Sequence, residues 1–257
     1  LEISCTNQSS VSAKYLTAEK LWTEKKYEAS VIEFDKVVKE NPNSAIGLQA
    51  LWRASTTRSL FLKDYQEALR GLRSFIDQSA QSNLIHEAQK EIGEILFNKI
   101  NQYENAIDHY EKLIASGKFS SDEGFFLYRI SRAYVALGKI KKAISIQEKI
   151  LNQFKEEDLV IKTKIDLAQN WYTIGEIDKQ AYLKSIHYYE QVSNLVKNRN
   201  RKKYNEAQFG LAMVLEELDR SDEALTIYQS IEKEFDIPNV VKIRIHKINE
   251  RAKRKKI

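Results

Sequence analysis

Apolar positions along this chain recur at helical spacing, and the helices they predict come in pairs. Leu127, Ile130, Ser131 and Tyr134 fall on one face of a helix, Gly138 marks a turn, and Ile140, Ala143, Ile146 and Ile150 form the stripe of a second helix. The small side chain of Ala143 lets the two backbones approach closely. The same pattern appears before and after this central pair, dividing the chain into six units at 11–44, 45–81, 82–118, 119–157, 158–199 and 200–238. In the second helix of each unit a small residue holds the equivalent place: Ser30, Ala68, Ala106, Ala143, Ser185 and Ala224. One more helix is expected over 239–257, with Val241, Ile245, Ile248 and Ala252 as its apolar stripe and a charged outer face suited to capping the sixth unit. Residues 1–10 read as a flexible tether. Alternation at period two is missing, so the fold class is all-α.

A paired-helix unit with small residues on both helices, an aromatic near the turn and a proline after the second helix resembles the tetratricopeptide repeat (TPR). Pro42 and Pro238 stand where that pattern closes a unit. Ser30 and Ser185 replace the usual alanine, and Thr56 stands where a small residue or glycine is expected. The small residues are 37 to 42 apart, against about 34 in a standard TPR. FNKINQ carries one residue more than the family spacing, and the turn over Thr173–Ala181 about five more. Lengthened units are similar to those of bacterial envelope TPR lipoproteins of the BamD and YbgF types. The resemblance implies a right-handed α-α solenoid of six helix pairs plus the capping helix. It places Tyr27, Phe34, Trp52, Tyr65, Tyr103, Tyr110, Tyr134, Tyr189 and Tyr228 in the core.

In the family the inner face of each first helix lines a partner-binding groove. The corresponding positions here are Tyr15 and Glu19, Arg53 and Thr57, Lys90 and Glu94, Tyr128 and Arg132, Gln169 and Tyr172, and Phe209 and Met213. Arg53, Lys90, Tyr128, Arg132, Gln169, Tyr172 and Phe209 are the candidate binding residues. Arg pairs bidentately with carboxylates and aromatics supply contact area, so the expected occupant is a peptide or helical segment carrying acidic residues. A set of merely solvated inner-face side chains is the alternative. The Lys and Asn carboxylate clamp of chaperone-binding TPR domains is not reproduced, because Tyr15 and Glu19 occupy its first two positions.

Composition agrees with this class. Eight Gly and two Pro in 257 residues leave few of the punctuators that strands and hairpins need, against usual fractions of about 7% and 5%. No apolar run reaches the roughly 18 residues of a membrane span. The single cysteine, Cys5, excludes an intrachain disulfide. LEISC followed by TNQSSVS is similar to the cleavage region of a bacterial lipoprotein, in which the cysteine is acylated; Ser4 fits that pattern and Glu2 departs from it. The other reading is an exposed cysteine in a disordered end. An acylated Cys5 implies a tether at the periplasmic face of an envelope membrane, and an unmodified one a cytoplasmic adaptor.

Charge is concentrated at one end. The formal net charge is +5, yet Lys242–Ile257 alone carries eight basic residues and one acidic, leaving the rest slightly negative. Arg251, Lys253, Arg254, Lys255 and Lys256 form a basic patch that could bind an anionic surface. Nucleic acid is the weaker reading, because the positive charge does not run along the repeats. No catalytic constellation is present. The four histidines fall in different segments with no metal-ligand spacing, no paired cysteines accompany them, and no glycine-rich loop follows a strand. The sequence therefore calls for no catalytic residue, metal, cofactor or small-molecule substrate; it describes a scaffold for protein partners.

Overall fold

The computed structural model describes the backbone of residues 2–254 and the side chains of 11–81 and 83–254. Among these residues there are thirteen α-helices and no strand: α1 (Glu2–Thr23), α2 (Tyr27–Glu40), α3 (Ala45–Thr57), α4 (Tyr65–Gln78), α5 (Ser82–Glu94), α6 (Tyr103–Ala115), α7 (Glu123–Ala136), α8 (Ile140–Gln153), α9 (Glu157–Gly175), α10 (Ala181–Val196), α11 (Arg201–Glu217), α12 (Ser221–Ile231) and α13 (Pro238–Arg254). They form two compact units, Leu1–Phe119 and Ser120–Ile257. Each is a succession of helix pairs in which consecutive helices pack on one another. The helical backbone of α1 runs through Glu2–Ser10, the stretch read from sequence as a tether. Cys5 lies there, and its side chain is outside the described residues.

The pairs are closed by a recurring turn that the sequence hides. Lys25, Lys63, Asn101, Gly138 and Asp219 all have positive φ, between 54° and 70°, and each stands five residues before the small residue of the second helix. A left-handed residue after a helix redirects the chain while the next amide caps a free carbonyl. Only Gly138 adopts that conformation without steric cost. In three turns the following amide donates five residues back, Lys26 to Leu21, Lys139 to Tyr134 and Arg220 to Leu215, at 2.8–2.9 Å. In the second and third pairs it donates six back, Asp64 to Arg58 and Gln102 to Leu96. The additional residue is taken up by π-helical turns at Arg58–Leu62 and Ile95–Lys99. This accounts for the extra residue of FNKINQ: it widens the last turn of the first helix and leaves the turn chemistry unchanged.

The small residues do what their spacing suggests. Ser30, Ala68, Ala106, Ala143, Ser185 and Ala224 are all fully buried. Where the residue is serine its hydroxyl donates to a carbonyl of the facing first helix, Ser30 Oγ to Ala18 O at 2.8 Å and Ser185 Oγ to Ala168 O at 2.7 Å. Burying a hydroxyl there is thus offset by a hydrogen bond. Close approach also decides Gly93: a Cβ there would lie 2.3 Å from the Tyr110 hydroxyl, a fully buried side chain of the facing helix.

Several packing expectations need correction. Phe34, Tyr110, Tyr189 and Tyr228 are core residues, but Tyr27, Trp52, Tyr65, Tyr103 and Tyr134 are only half-buried; all but Trp52, which lies mid-helix on α3, stand near helix ends or turns. The stripe of α8 passes through Ala143, Ile144, Gln147 and Ile150, with Ile146 half-buried. The carbonyl end of the buried Gln147 is satisfied by Asn170, whose Nδ2 donates to its Oε1 at 2.9 Å, while its Nε2 has no partner among the described residues. The long turn of the fifth pair is partly helix: α9 extends to Gly175, and the connection that remains leaves Ile177 94% exposed. On α13, Val241 and Ile248 are buried and Ile245 packs against the same core, whereas Ala252 is exposed. A polar clamp adds to this docking. Arg244 lies 3.5 Å from the nearly buried Glu216 of α11, which also accepts the Tyr228 hydroxyl at 2.7 Å.

Two stability outcomes follow from this packing. Ala143→Leu should overpack the α7–α8 contact by about 1 to 3 kcal/mol and lower the thermal midpoint; an unchanged midpoint would refute the close approach at Ala143. Ile248→Ala should cost about 2 to 4 kcal/mol in urea unfolding, whereas Lys253→Ser should change stability by less than about 0.5 kcal/mol. Equal effects of the two would show that α13 is not docked through its apolar stripe.

Candidate partner-binding face

Residues expected to line a groove sit on the first helices of the pairs, and most are engaged with a neighbouring first helix. In the first unit Arg53 of α3 forms a bidentate pair with Glu19 of α1, Nε to Oε1 at 2.6 Å and Nη2 to Oε2 at 2.7 Å, and its guanidinium lies 4.4 Å over the Trp22 ring. Both charges are thereby spent within the protein. Thr57 is buried; its hydroxyl donates to Arg53 O at 2.7 Å and accepts Trp22 Nε1 at 3.1 Å. Lys90 is half-buried on α5.

In the second unit the same design appears with looser geometry. Arg132 of α7 reaches both carboxylate oxygens of Asp166 on α9 at 3.4 Å, and Tyr128 adjoins the pair. Burial pushes the Asp166 carboxyl above its ordinary range and outweighs the opposing pull of Arg132 and Tyr128. Burial, and secondarily the charge of Asp166, pushes the Tyr128 phenol up to about 12, so it stays neutral at physiological pH. One pair further on, Tyr172 of α9 donates to Glu217 of α11 at 3.3 Å, and burial followed by Glu217 raises it likewise to about 12. Gln169 accepts the Tyr189 hydroxyl at 3.2 Å. Phe209 is not a free groove residue: it stacks on Phe235 with centroids 4.8 Å apart and lies 5.6 Å from Tyr228, as part of the α13-side core.

Beside Tyr128 a cleft of ≈460 Å³ opens between α7 and the start of α9. Its apolar wall is Gly124, Phe125, Phe154 and Leu159, and Tyr128, Arg129 and Lys162 stand around it with Glu156 and Asp158. Arg129 is held 5.3 Å over the Phe125 ring. Of these residues only Tyr128 was legible in the sequence. The signal that could have found the rest is the adjacent pair Phe125–Phe126. Neighbours on a helix point about 100° apart, so two adjacent phenylalanines are not equally enclosed: Phe126 is fully buried and Phe125 only half-buried.

Arg251, Lys253 and Arg254 are exposed on α13, with Lys253 paired to Glu250 at 2.9 Å. Lys255 and Lys256 lie outside the described residues. His109 sits 2.8 Å from the Gln89 carbonyl, and burial holds its ring below the usual histidine range. No cluster of potential metal ligands occurs among the described residues, and no described helix is long and apolar enough to cross a membrane.

Comparison with known proteins agrees with this architecture. Tetratricopeptide repeat family models match residues 126–153 and 206–236, the α7–α8 and α11–α12 pairs. No curated protein matches the sequence. Among solved structures, a tetratricopeptide repeat protein from Parabacteroides merdae superposes with a TM-score of 0.62 at 13% identity, over 96% of this chain and 89% of that one. PilW, described as a widely conserved type IV pilus biogenesis factor, gives 0.56 at 12% identity, over 88% and 93%. YrrB, described as a TPR protein with an unusual peptide-binding site, gives 0.51 at 16% identity, over 86% and 97%. Identities this low speak to the fold alone. Fold and repeat matches together support the class of tetratricopeptide-repeat proteins, whose helix-pair fold suits protein–protein interaction.

The Tyr128–Arg132–Asp166 cluster generates a pH-dependent outcome. The folded-state pKa of Asp166 is raised, so its contribution to stability is fully present below the unfolded carboxylate value of about 4 and is lost as pH rises through the folded value. Asp166→Asn removes that loss. Relative to the wild type, its thermal midpoint should be more favourable at neutral pH than at the unfolded carboxylate value. A variant less stable at neutral pH by more than at acid pH would mean that the Arg132 pair outweighs burial.

Proposed function

We propose that this protein is a non-catalytic adaptor that holds a segment of a protein partner on the first-helix face of its second unit, anchored at the cleft beside Tyr128. The carrying observation is that cleft: an apolar recess next to a row of polar contacts that joins α7 to α9 and α9 to α11. The row tethers neighbouring first helices, so the face is organised before a partner arrives and less ordering entropy is lost on binding. An apolar or aromatic partner side chain suits the recess.

An acidic residue in the partner suits Arg132, whose contact to Asp166 is long and whose side chain is about half exposed. Arg53 is a poorer candidate for that role, because its short bidentate pair would have to be broken first. YrrB, described as having a peptide-binding site, shares the fold, which is consistent with a protein-binding role here. Within this proposal Cys5 is the acylated tether, and the periplasmic face of a bacterial membrane is the setting. Mass spectrometry of the natively expressed protein tests the tether, since an unmodified Cys5 removes it and returns the adaptor to the cytoplasm.

Tyr128→Ala should weaken binding of the native partner by roughly 1 to 3 kcal/mol, and Arg132→Glu should weaken it with the circular dichroism spectrum unchanged. Both are read by calorimetric titration against the partner recovered with the wild-type chain. Undiminished binding by both variants would remove this face as the docking site.

A further inference from the structure

The helix α13 has two working faces, and the core uses only one. Val241 and Ile248 point inward, and Arg244 is tied to Glu216. A second set, Val240, Ile243, Lys247, Arg251 and Arg254, follows spacings of three, four, four and three residues, and so lies along one side of the helix. Every member of this set is exposed. Its first half is apolar: Val240 is 37% and Ile243 55% exposed, and Ile237, just before the helix, is 59% exposed. Its second half is cationic, and among the described residues none of Lys247, Arg251 and Arg254 forms an ion pair.

Neither folding nor the helix dipole explains this arrangement. Cations in the last turn favour the helix C-terminus, but aliphatic side chains on the outer side of the first turns only lose by being in water. Solubility is likewise served by the cations alone. The feature that joins the two halves is a partner with an anionic surface over an apolar interior.

We propose that this outer face of α13 docks on an anionic lipid bilayer, with Ile237, Val240 and Ile243 entering the acyl boundary and Lys247, Arg251 and Arg254 pairing with headgroup phosphates. Charge complementarity selects this occupant. The segment from Lys242 onward holds eight basic residues and one acidic, in a chain that is otherwise slightly negative, so attraction to an anionic bilayer is focused on the helix that presents the apolar residues. Nucleic acid would be served by cations and aromatic platforms, and the apolar half here is wholly aliphatic. A second copy of the chain would bring the same cations against themselves if it used this face twice.

The proposal is independent of the groove and of Cys5, and it is tested on the full chain without acylation. The probes are phosphatidylcholine vesicles with and without phosphatidylglycerol as about a third of the lipid, read by co-sedimentation. The wild type should partition to the anionic vesicles and not to the neutral ones, with weaker binding at high salt. Replacing Lys247, Arg251 and Arg254 together by serine should lower the partition coefficient about 100-fold, from roughly a fivefold loss per cation. Val240→Ser with Ile243→Ser should also lower it by at least tenfold, while the thermal midpoint stays unchanged because neither residue is buried.

Undiminished binding by the double serine variant would overturn the proposal in favour of simple charge adsorption. Absence of vesicle binding by the wild type would overturn it too. In that event sedimentation velocity and an oligonucleotide shift assay, each repeated with the double serine variant, would assign the face to a second copy or to nucleic acid.

Discussion

The close approach of two helix backbones at one small residue per pair is the contact on which the rest of this structure depends. At Ser30, Ala68, Ala106, Ala143, Ser185 and Ala224 a larger side chain would push the helices apart, and each of these positions is sealed from solvent. The left-handed turn residue five positions earlier serves the same contact from the other side, because it brings the second helix back onto the first. Lys25, Lys63, Asn101 and Asp219 adopt that conformation without being glycine, so each of these turns stores some conformational cost that the packing of the pair offsets. The fifth pair lacks such a residue. There a longer α9 and a wider connection replace the tight turn, and Ile177 is left in solvent.

With the pairs closed, first helices meet first helices, and side chains that cross those contacts acquire a structural role before any partner is present. Arg53 with Glu19, Arg132 with Asp166, Tyr172 with Glu217 and Arg244 with Glu216 are four versions of one arrangement, a cation or phenol on one helix against a carboxylate on another. Their geometries differ in a way that bears on function. The Arg53 pair is short and bidentate and stacks on Trp22, which suits a fixed strut. The Arg132 pair is long, and its carboxylate partner is disfavoured by burial, which leaves the guanidinium available for exchange onto another acid. Beside it lies the recess into which an apolar side chain can fit. The proposed binding face thus lies beside a cross-helix pair that is longer and less fixed than the Arg53 strut.

Much of this was legible in the sequence, and for a physical reason. Helical periodicity and the spacing of small residues report on contacts between segments adjacent in the chain, so the helix pairs, their number and three of the four stripe positions of α13 could be read directly. The surplus residue before the third turn was visible as a number. That it becomes a π-helical turn in the second and third pairs, with the amide reaching six residues back, needed the backbone. The burial of Gln147 was not legible, because its partner Asn170 lies 23 positions away.

What the sequence determined by itself was the class of fold, the positions of the small contacts and the concentration of charge on the last helix, all properties of local spacing and composition. What only tertiary structure decided was which side chains remain free to bind. Arg53 and Arg132 look alike in sequence, yet one is clamped and the other loosely held; Phe209 looks like a groove aromatic, yet Phe235 covers it. Those distinctions depend on partners 26 to 34 residues distant, brought together by tertiary packing, and no periodicity within a single helix carries that information.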